Sequence, residues 1–383
     1  MAAAQLGVAR RMTETLRPRD EADLAELIAT HVGPLEVLGA GSKRAIGRPL
    51  EADVLDLGAL RGVIAYEPDE LMVTARAATP LADIEPLLVS RRQRFAFEPP
   101  DPRLLLAGTA LPTIGGVLAA NASGSRRLTA GAARDHFLGL RAVNGRGERF
   151  KAGGRVVKNV TGYDLPKLLA GSWGTLAVLT EVTVRVVPAP EADCTLLLES
   201  CEPARAVQLF NRALGSNCEV SAAALVPHHG LGLRLEGVAG SVQSRCARLI
   251  ETLGASDHMR LEGPESHRWW HEVAAAGSLA EQPVVWRVSV PPSQAAHIID
   301  TLAPRQYLLD WAGGLLWLGA AEADAARVRG ALRGGHATLI KAPASVRASV
   351  SVFQPLTGAL ATIAARLKAA FDPDARLNPG RMS

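Results

Sequence analysis

Gly39-Ala40-Gly41-Ser42-Lys43-Arg44 follows directly on Leu35 to Leu38, which reads as a short buried strand. Glycines there tolerate positive φ, and successive backbone N–H groups can turn toward one point, an arrangement that suits a pyrophosphate. Arg44 stands where a third glycine would complete G-x-G-x-x-G, and no Gly-Lys-Ser/Thr follows at Walker A spacing. Neither the Rossmann fingerprint nor a P-loop is therefore present. A tight turn without a ligand is the competing reading of the same residues.

Thr113-Ile114-Gly115-Gly116-Val117-Leu118-Ala119-Ala120-Asn121-Ala122-Ser123-Gly124 joins close-approach glycines to small residues and hydrogen-bonding side chains. A segment wrapped around a large flat cofactor needs that mixture, and a glycine-rich packing segment is the alternative. A third region pairs Lys158-Asn159-Val160-Thr161-Gly162-Tyr163-Asp164-Leu165 with Gly171-Ser172-Trp173-Gly174-Thr175-Leu176 and the run to Val182.

The elements that must position these residues are legible in outline. Asp20 predicts the N-cap of a helix to about Thr30, with Leu24, Leu27 and Ile28 at helical spacing. Short strands are predicted at Leu35 to Leu38, Val54 to Leu57, Val63 to Tyr66 and Leu71 to Ala75, and a helix from Thr79-Pro80 to about Ser90. Alternation through Val182, Val184 and Val186 predicts a strand that ends at Pro188-Ala189-Pro190. Beyond it, strands such as Val284 to Val290 alternate with Ala-rich helical runs such as Ala320 to Leu332, and five of the six Trp lie there. These Trp residues offer a candidate partner surface or, equally, core filling. A helical run at Ala359 to Ala370 precedes a breaker-rich tail.

The chain has 383 residues, 48% of them apolar and 21% charged, which excludes fibrous and disordered classes. Lys plus Arg number 42 against 38 Asp plus Glu, a formal net charge of +4 with no long basic run, so nucleic acid is not implied. Cys194, Cys201, Cys218 and Cys246 are too dispersed for a C-x-x-C site, and a reducing, cytoplasmic compartment fits them. The uncharged stretch Leu104 to Ser125 is broken by Pro112, Gly115, Gly116, Asn121 and Ser123, which excludes a transmembrane helix there. Met1 to Met12 reads as part of a loose tail rather than a signal peptide.

In their order along the chain, the three glycine-rich regions resemble the flavoproteins that share the vanillyl-alcohol-oxidase type FAD domain. Lys-Asn-x-x-Gly-Tyr-Asp, Gly-Ser-x-Gly-Thr-Leu, Gly335-His336-Ala337-Thr338 and Asn378-Pro379-Gly380-Arg381-Met382 are similar to the D-2-hydroxyacid dehydrogenase branch, and to the FAD-binding subunits of glycolate oxidases within it. The resemblance implies an α+β fold: a two-subdomain, PCMH-like FAD-binding domain with a second α+β cap domain. The expected organisation is a loose tail over 1–19, an FAD-binding domain over 20–190 (subdomains about 20–60 and 61–190), a cap over 191–350, and a segment 351–383 that returns to the FAD site.

Carried over residue by residue, the resemblance implies that Gly39, Ala40, Gly41, Ser42, Lys43 and Arg44 cradle the FAD pyrophosphate, helped by Thr113, Gly115 and Gly116. Asn121, Ser123 and Gly124 would line the ribityl and flavin region, and Gly174, Leu176 and Val178 the adenine half. Lys158, Tyr163 and Asp164 would run near the isoalloxazine ring, with Asn378 closing the site; a salt-bridged, helix-capping turn is the alternative for the first three. With Lys43 and Arg44 in place of a flavin-linking His, non-covalent FAD is expected. The partners implied are a catalytic FAD subunit, an iron–sulfur subunit and a small 2-hydroxy acid, in a cytoplasmic complex at the inner face of the cell membrane.

The chain departs from catalytic relatives in two places. Their His-x-Gly-Asp-Gly-Asn-x-x-His element is missing: His228-His229-Gly230 is followed by Leu231-Gly232-Leu233-Arg234, and His267 and His271 lack the H-E-x-x-H order, so no metal is expected. Trp173 stands where those relatives carry Glu, which puts independent turnover in doubt. Arg287, on a predicted strand, remains as a bidentate carboxylate clamp or as an ion-pair partner of Asp310. His336 is the best available proton acceptor, a hydrogen-bonded turn histidine being the alternative. A self-contained 2-hydroxyacid dehydrogenase and a structural flavin-binding subunit without a redox role stay open as rivals.

Overall fold

The computed structural model describes residues 13–154 and 163–382. Among them, three sheets follow one another along the chain. The first is small and parallel, with Asp53–Asp56 between Thr15–Leu16 and Leu35–Leu38. Helix Glu21–Thr30 covers it, started by Asp20, whose carboxylate accepts from the amides of Ala22 and Asp23 at 2.9 Å. Its inward residues Leu24 and Ile28 pack with Leu35, Leu55 and Val178 in one buried cluster.

The second sheet has six antiparallel strands with Ala177–Pro188 at its centre. Met72–Arg76 and Phe137–Asn144 flank that strand, and Gln93–Phe95 pairs with its end. Val182, Val184 and Val186 point into a core shared with helices Leu81–Ser90 and Ile114–Ala119, as the alternation predicts.

The third sheet, of eight antiparallel strands, spans Ala192–Leu198 to His336–Lys341. Period-two alternation decides what each face meets. On Val284–Ser289, Val284, Trp286 and Val288 enter a core covered by helices Pro203–Leu214, Ala239–Leu253 and Ala295–Leu302. Val285 enters a different cluster with Trp270, Trp311 and Trp317. Arg287 and Ser289 share Val285's side of the strand and thereby line a cavity with Asn121 and Ser123 of the second glycine-rich region.

The tail closes the structure on itself. Leu377 bridges Leu35, the Asn378 amide donates to the Leu35 carbonyl at 2.9 Å, and Asn378 Oδ1 accepts from the Val37 amide at 2.9 Å. Asn378 Nδ2 donates to the Trp173 carbonyl at 2.8 Å, so one buried side chain ties the first sheet to the turn before the long central strand.

Three expectations need correction. The loose tail does not extend to residue 19: Thr15–Leu16 pairs in register with Val54 and Leu55, and the Glu14 amide donates to Asp53 Oδ1 at 2.8 Å. Ala320 to Leu332 is not one helix: Ala320 ends strand Leu315–Ala320, and Asp324 caps a short helix Ala325–Gly330. Sheet pairing outweighs the helix propensity of alanine there. The Trp residues of this region chiefly fill core rather than surface: Trp270, Trp286, Trp311 and Trp317 are buried and Trp269 is half-buried. No helix among the described residues is long and apolar enough to cross a membrane.

Asn378 also holds φ at +43°, a conformation asparagine tolerates better than most residues. Asn378→Ala removes two buried hydrogen bonds and leaves the Val37 amide unsatisfied. It is expected to cost about 2–3 kcal/mol, read as a lowered denaturation midpoint with an unchanged slope in urea unfolding.

Candidate functional site

Two adjoining cavities meet where the three sheets converge. The smaller, about 110 Å³, is lined by Gly39, Ala40, Gly41, Ser42, Lys43, Arg44, Thr113, Gly115, Gly116, Gly174, Val178 and Asn378 among others. The larger, about 400 Å³, holds Lys43, Asn121 and Ser123 on one side and Arg287, Ser289, Asp310, His336 and Thr338 on the other. Lys43, Ala120 and Trp173 belong to both walls and mark the junction.

The glycine loop is built by its flanks. Strand Leu35–Leu38 delivers the chain to Gly39, Gly41 turns it at φ +79°, and the Arg44 amide donates back to the Gly41 carbonyl at 2.9 Å. Buried Glu36 anchors the loop's far end, accepting from Arg44 at 2.6 Å and from Arg381 at 2.7 Å. Lys43 differs from its neighbours: its Nζ is buried and without a hydrogen-bond partner, and burial pulls its pKa down to about 8. A Cβ on Gly116 would lie 3.9 Å from that Nζ, and one on Gly115 would meet the Ala77 carbonyl at 2.7 Å. Side chains at those two positions would fill the space in front of the ammonium and force the wall apart. A buried orphan ammonium beside a cradle free of Cβ atoms fits an anionic group such as a pyrophosphate.

Trp173 takes φ +54°, where a bulky residue is strained. The turn is held from both sides: its amide donates to the Ala119 carbonyl at 2.9 Å, and its own carbonyl accepts from Asn378. Its ring meets Phe353 edge-on at 5.3 Å, so an indole forms the junction between the cavities.

In the larger cavity, Ser289 pairs with His336 and Arg287 with Thr338 across neighbouring strands. The four side chains therefore line one wall, with His336 at the exposed rim. No ion pair joins Arg287 to Asp310. The guanidinium lies over Trp311 at 5.0 Å and Trp317 at 5.8 Å from the ring centres. Burial, and then the neighbouring Arg127, draws its pKa down to about 10. Burial of its inner side, followed by Arg287 and Arg127, lowers that of His336. Asp310 accepts from Ser125 Oγ at 2.8 Å and from the Trp311 amide at 2.7 Å, and burial raises its carboxyl to about 7.

The other expected site residues are placed as follows. Gly124 lines neither cavity, but its carbonyl accepts from Trp311 Nε1 at 3.0 Å. Leu176 packs against the core of the second sheet. Tyr163 is 91% exposed, and Asp164 caps helix Leu165–Leu169 through the Lys167 amide and pairs with Lys167 at 3.2 Å. For Asp164 the structure thus holds the capping arrangement, outside both cavities. Lys158 lies outside the described residues. His228 and His229 sit on an exposed turn, His267 and His271 are exposed on helix Pro264–Ala274, and no metal-ligand cluster occurs among the described residues. The sequence reading missed Arg127, Trp311 and Arg381; the adjacent Arg126-Arg127 pair directly after the second glycine-rich element was the available signal.

Residues 14–153 match the family described as FAD binding domain. Over 363 residues the chain is 36% identical to glycolate oxidase subunit GlcE of Escherichia coli, spanning 91% of this chain and 92% of that protein. It is 32% identical over 187 residues to glycolate oxidase subunit GlcD of Bacillus subtilis, 48% of this chain and 38% of that one. A solved alkyldihydroxyacetonephosphate synthase aligns with a TM-score of 0.65 at 14% identity, over 95% of this chain and 76% of that chain, which shows a shared fold.

Asp310 generates a prediction about stability. Its folded carboxyl, at about 7, lies above the ordinary 3.8, so the folded state keeps a proton that the unfolded chain has released between those values. The contribution of this group to stability is therefore greatest at the acid end and is lost as pH rises toward about 7. Relative to the parent chain, Asp310→Asn should gain stability between pH 5 and pH 8, measured by urea unfolding at each pH; a pH-independent difference would contradict this.

Proposed function

This chain belongs to the family of FAD-binding glycolate oxidase subunits, and from that premise we propose that it serves in a complex that oxidises glycolate to glyoxylate, beside a catalytic FAD subunit and an iron–sulfur subunit. The single observation that carries the cofactor assignment is the Lys43 ammonium, buried without a partner where the two cavities meet. FAD, when bound, supplies the acceptor for the hydride that leaves the α-carbon of a hydroxy acid and the route by which electrons pass onward.

The chain's own residues take the remaining tasks. Lys43 neutralises the pyrophosphate, and the Gly39–Ser42 backbone, Gly115 and Gly116 allow it to approach. Gly174 and Val178 flank the part of the smaller cavity nearest Asn378. Asn121 and Ser123 face the larger cavity, although each already accepts a backbone hydrogen bond, from Arg134 at 3.0 Å and from Ala133 at 2.9 Å. Arg287 holds a carboxylate by paired N–H donors, and a ring nitrogen of His336 takes the hydroxyl proton. Trp173 excludes water at the junction.

One observation favours a second reading, a self-contained dehydrogenase: Arg287 and His336 share a wall of the cavity that Trp173 separates from the loop. The anaerobic visible spectrum of the purified chain decides between them. On the first reading the yellow protein does not bleach with glycolate or D-lactate until its partners are added; bleaching by the chain alone would establish the second. A yellow protein whose flavin stays oxidised even in the assembled, turning-over complex would make its FAD structural.

The lysine supplies a further test. Its pKa of about 8 in the free chain must rise when an anion binds. FAD affinity should therefore fall above about pH 8, by up to about tenfold per pH unit. Lys43→Met should weaken FAD binding by about thirtyfold at neutral pH, equivalent to about 2 kcal/mol, and remove that pH dependence. Flavin-fluorescence titration measures both.

A further inference from the structure

Trp311 carries a second cation. The Arg127 guanidinium lies 4.5 Å from the centre of the indole against which Arg287 lies at 5.0 Å. The two arginines come from different parts of the chain: Arg127 begins a short turn of helix after the second glycine-rich element, and Arg287 stands on the third sheet. Trp311 is fixed between them by its Nε1–H bond to the Gly124 carbonyl and by a left-handed backbone, φ +50°, continued at Ala312.

Two guanidinium groups against one ring repel each other, and burial makes the repulsion costly. The ring faces compensate in part, since a cation over an indole is attracted by its quadrupole. A counter-ion in direct contact would compensate fully; Asp310 acts on Arg287 and Asp135 on Arg127 only through space, without an ion pair. Among the described residues neither guanidinium has a hydrogen bond or an ion pair, and the undescribed residues contain no Asp or Glu. Both acids on the cavity wall are engaged elsewhere: Asp101 by Arg103 Nε and Nη2, at 2.9 and 2.6 Å, and Asp310 by Ser125 and the Trp311 amide. The wall also carries Ser289 and Thr338, whose hydroxyls have no protein partner among the described residues, and the rim carries His336.

We propose that Arg127, stacked with Arg287 on Trp311, is a second carboxylate-binding residue, so that this chain by itself takes a small 2-hydroxy or 2-oxo carboxylate in the larger cavity. The two guanidiniums share the carboxylate, and the Ser289 and Thr338 hydroxyls meet the oxygen on the adjacent carbon. The inference rests on the reading of this cavity as the place where hydroxy acid and flavin meet, and it assigns ligand binding to this chain whether or not turnover occurs on it. Trp311 is a positioning residue: it holds both cations in register and supplies a spectroscopic reporter.

The test uses the FAD-loaded full chain. Glycolate, glyoxylate and, as an uncharged control, ethylene glycol are titrated while intrinsic Trp fluorescence and binding heat are followed. Saturable binding of both carboxylates and none of the diol is expected. Arg127→Met should raise Kd at least about tenfold, and Arg127→Lys should restore part of the loss, because a charge returns without the paired donors. Trp311→Phe should weaken binding less than either arginine replacement and abolish the fluorescence response. Melting temperature and FAD content of each variant separate ligand loss from misfolding. Unchanged carboxylate affinity in a folded, FAD-loaded Arg127→Met overturns the inference, as does a parent chain that holds FAD and binds neither acid. A chain that fails to take up FAD instead overturns the functional reading beneath it.

Discussion

Lys43 buries its ammonium without a partner, and the half-buried Arg127 and Arg287 lay their guanidiniums against an aromatic face without an ion pair. Desolvated positive charge of this kind is among the more expensive things a fold can hold. Here it runs along one line, from the glycine loop through the Trp173 junction into the larger cavity. Nearby acids are engaged by other groups: Glu36 by Arg44 and Arg381, Asp101 by Arg103, Glu236 by Arg94 and Arg126, Glu98 by Arg234, Asp310 by Ser125 and the Trp311 amide. On the proposed function, a bound anion completes the charge balance that these carboxylates leave open.

Holding that arrangement open needs rigid surroundings, and the connections between the sheets supply them. Trp311 reaches Gly124 across the interface, Ser125 reaches Asp310, and Arg126 reaches Glu236. Each bond joins the second glycine-rich segment to the third sheet, so the segment that faces the ligand is also the one that docks the cap. Asn378 does the same from the other end, fixing the strand before the phosphate-type loop and the strained Trp173 turn with one amide. Strain at Trp173 persists because its amide and carbonyl are both held by neighbours, the condition under which an unfavourable backbone survives.

What was legible in the sequence follows from range. Local devices read through: the Asp20 cap, the glycine loop after Leu35 to Leu38, and the strand that carries Arg287. The order of the three glycine-rich regions carried the family, and with it the cofactor. Tertiary pairings did not read through. Trp311 and Gly124 are 187 residues apart, so nothing near Arg127 announces the ring it stacks on. Thr15–Leu16 is too short for any pattern and exists only because Asp53–Asp56 offers it an edge. In Ala320 to Leu332, alanine content spoke for one helix, whereas Ala320 ends a strand paired with Val284 and the helix is confined to Ala325–Gly330 after the Asp324 cap. Tyr163 and Asp164 were read from a motif, and Asp164 ended as a cap because a short polar side chain before Leu165-Pro166 finds the orphan Lys167 amide first.

The exchange at residue 173 bears on how labour is divided in the proposed complex. A carboxylate at the junction, as the resemblance implies for catalytic relatives, would sit between Lys43 and the arginine pair and offset part of their field. An indole supplies no such offset, and the pKa of His336 is lowered by burial and then by Arg287 and Arg127. On the proposed function an anionic ligand is then held more tightly, and the acids left on that wall are Asp101, held by Arg103, and Asp310, held by Ser125 and the Trp311 amide. A subunit built this way is suited to retain a hydroxy acid or its product near a flavin while partners move the electrons.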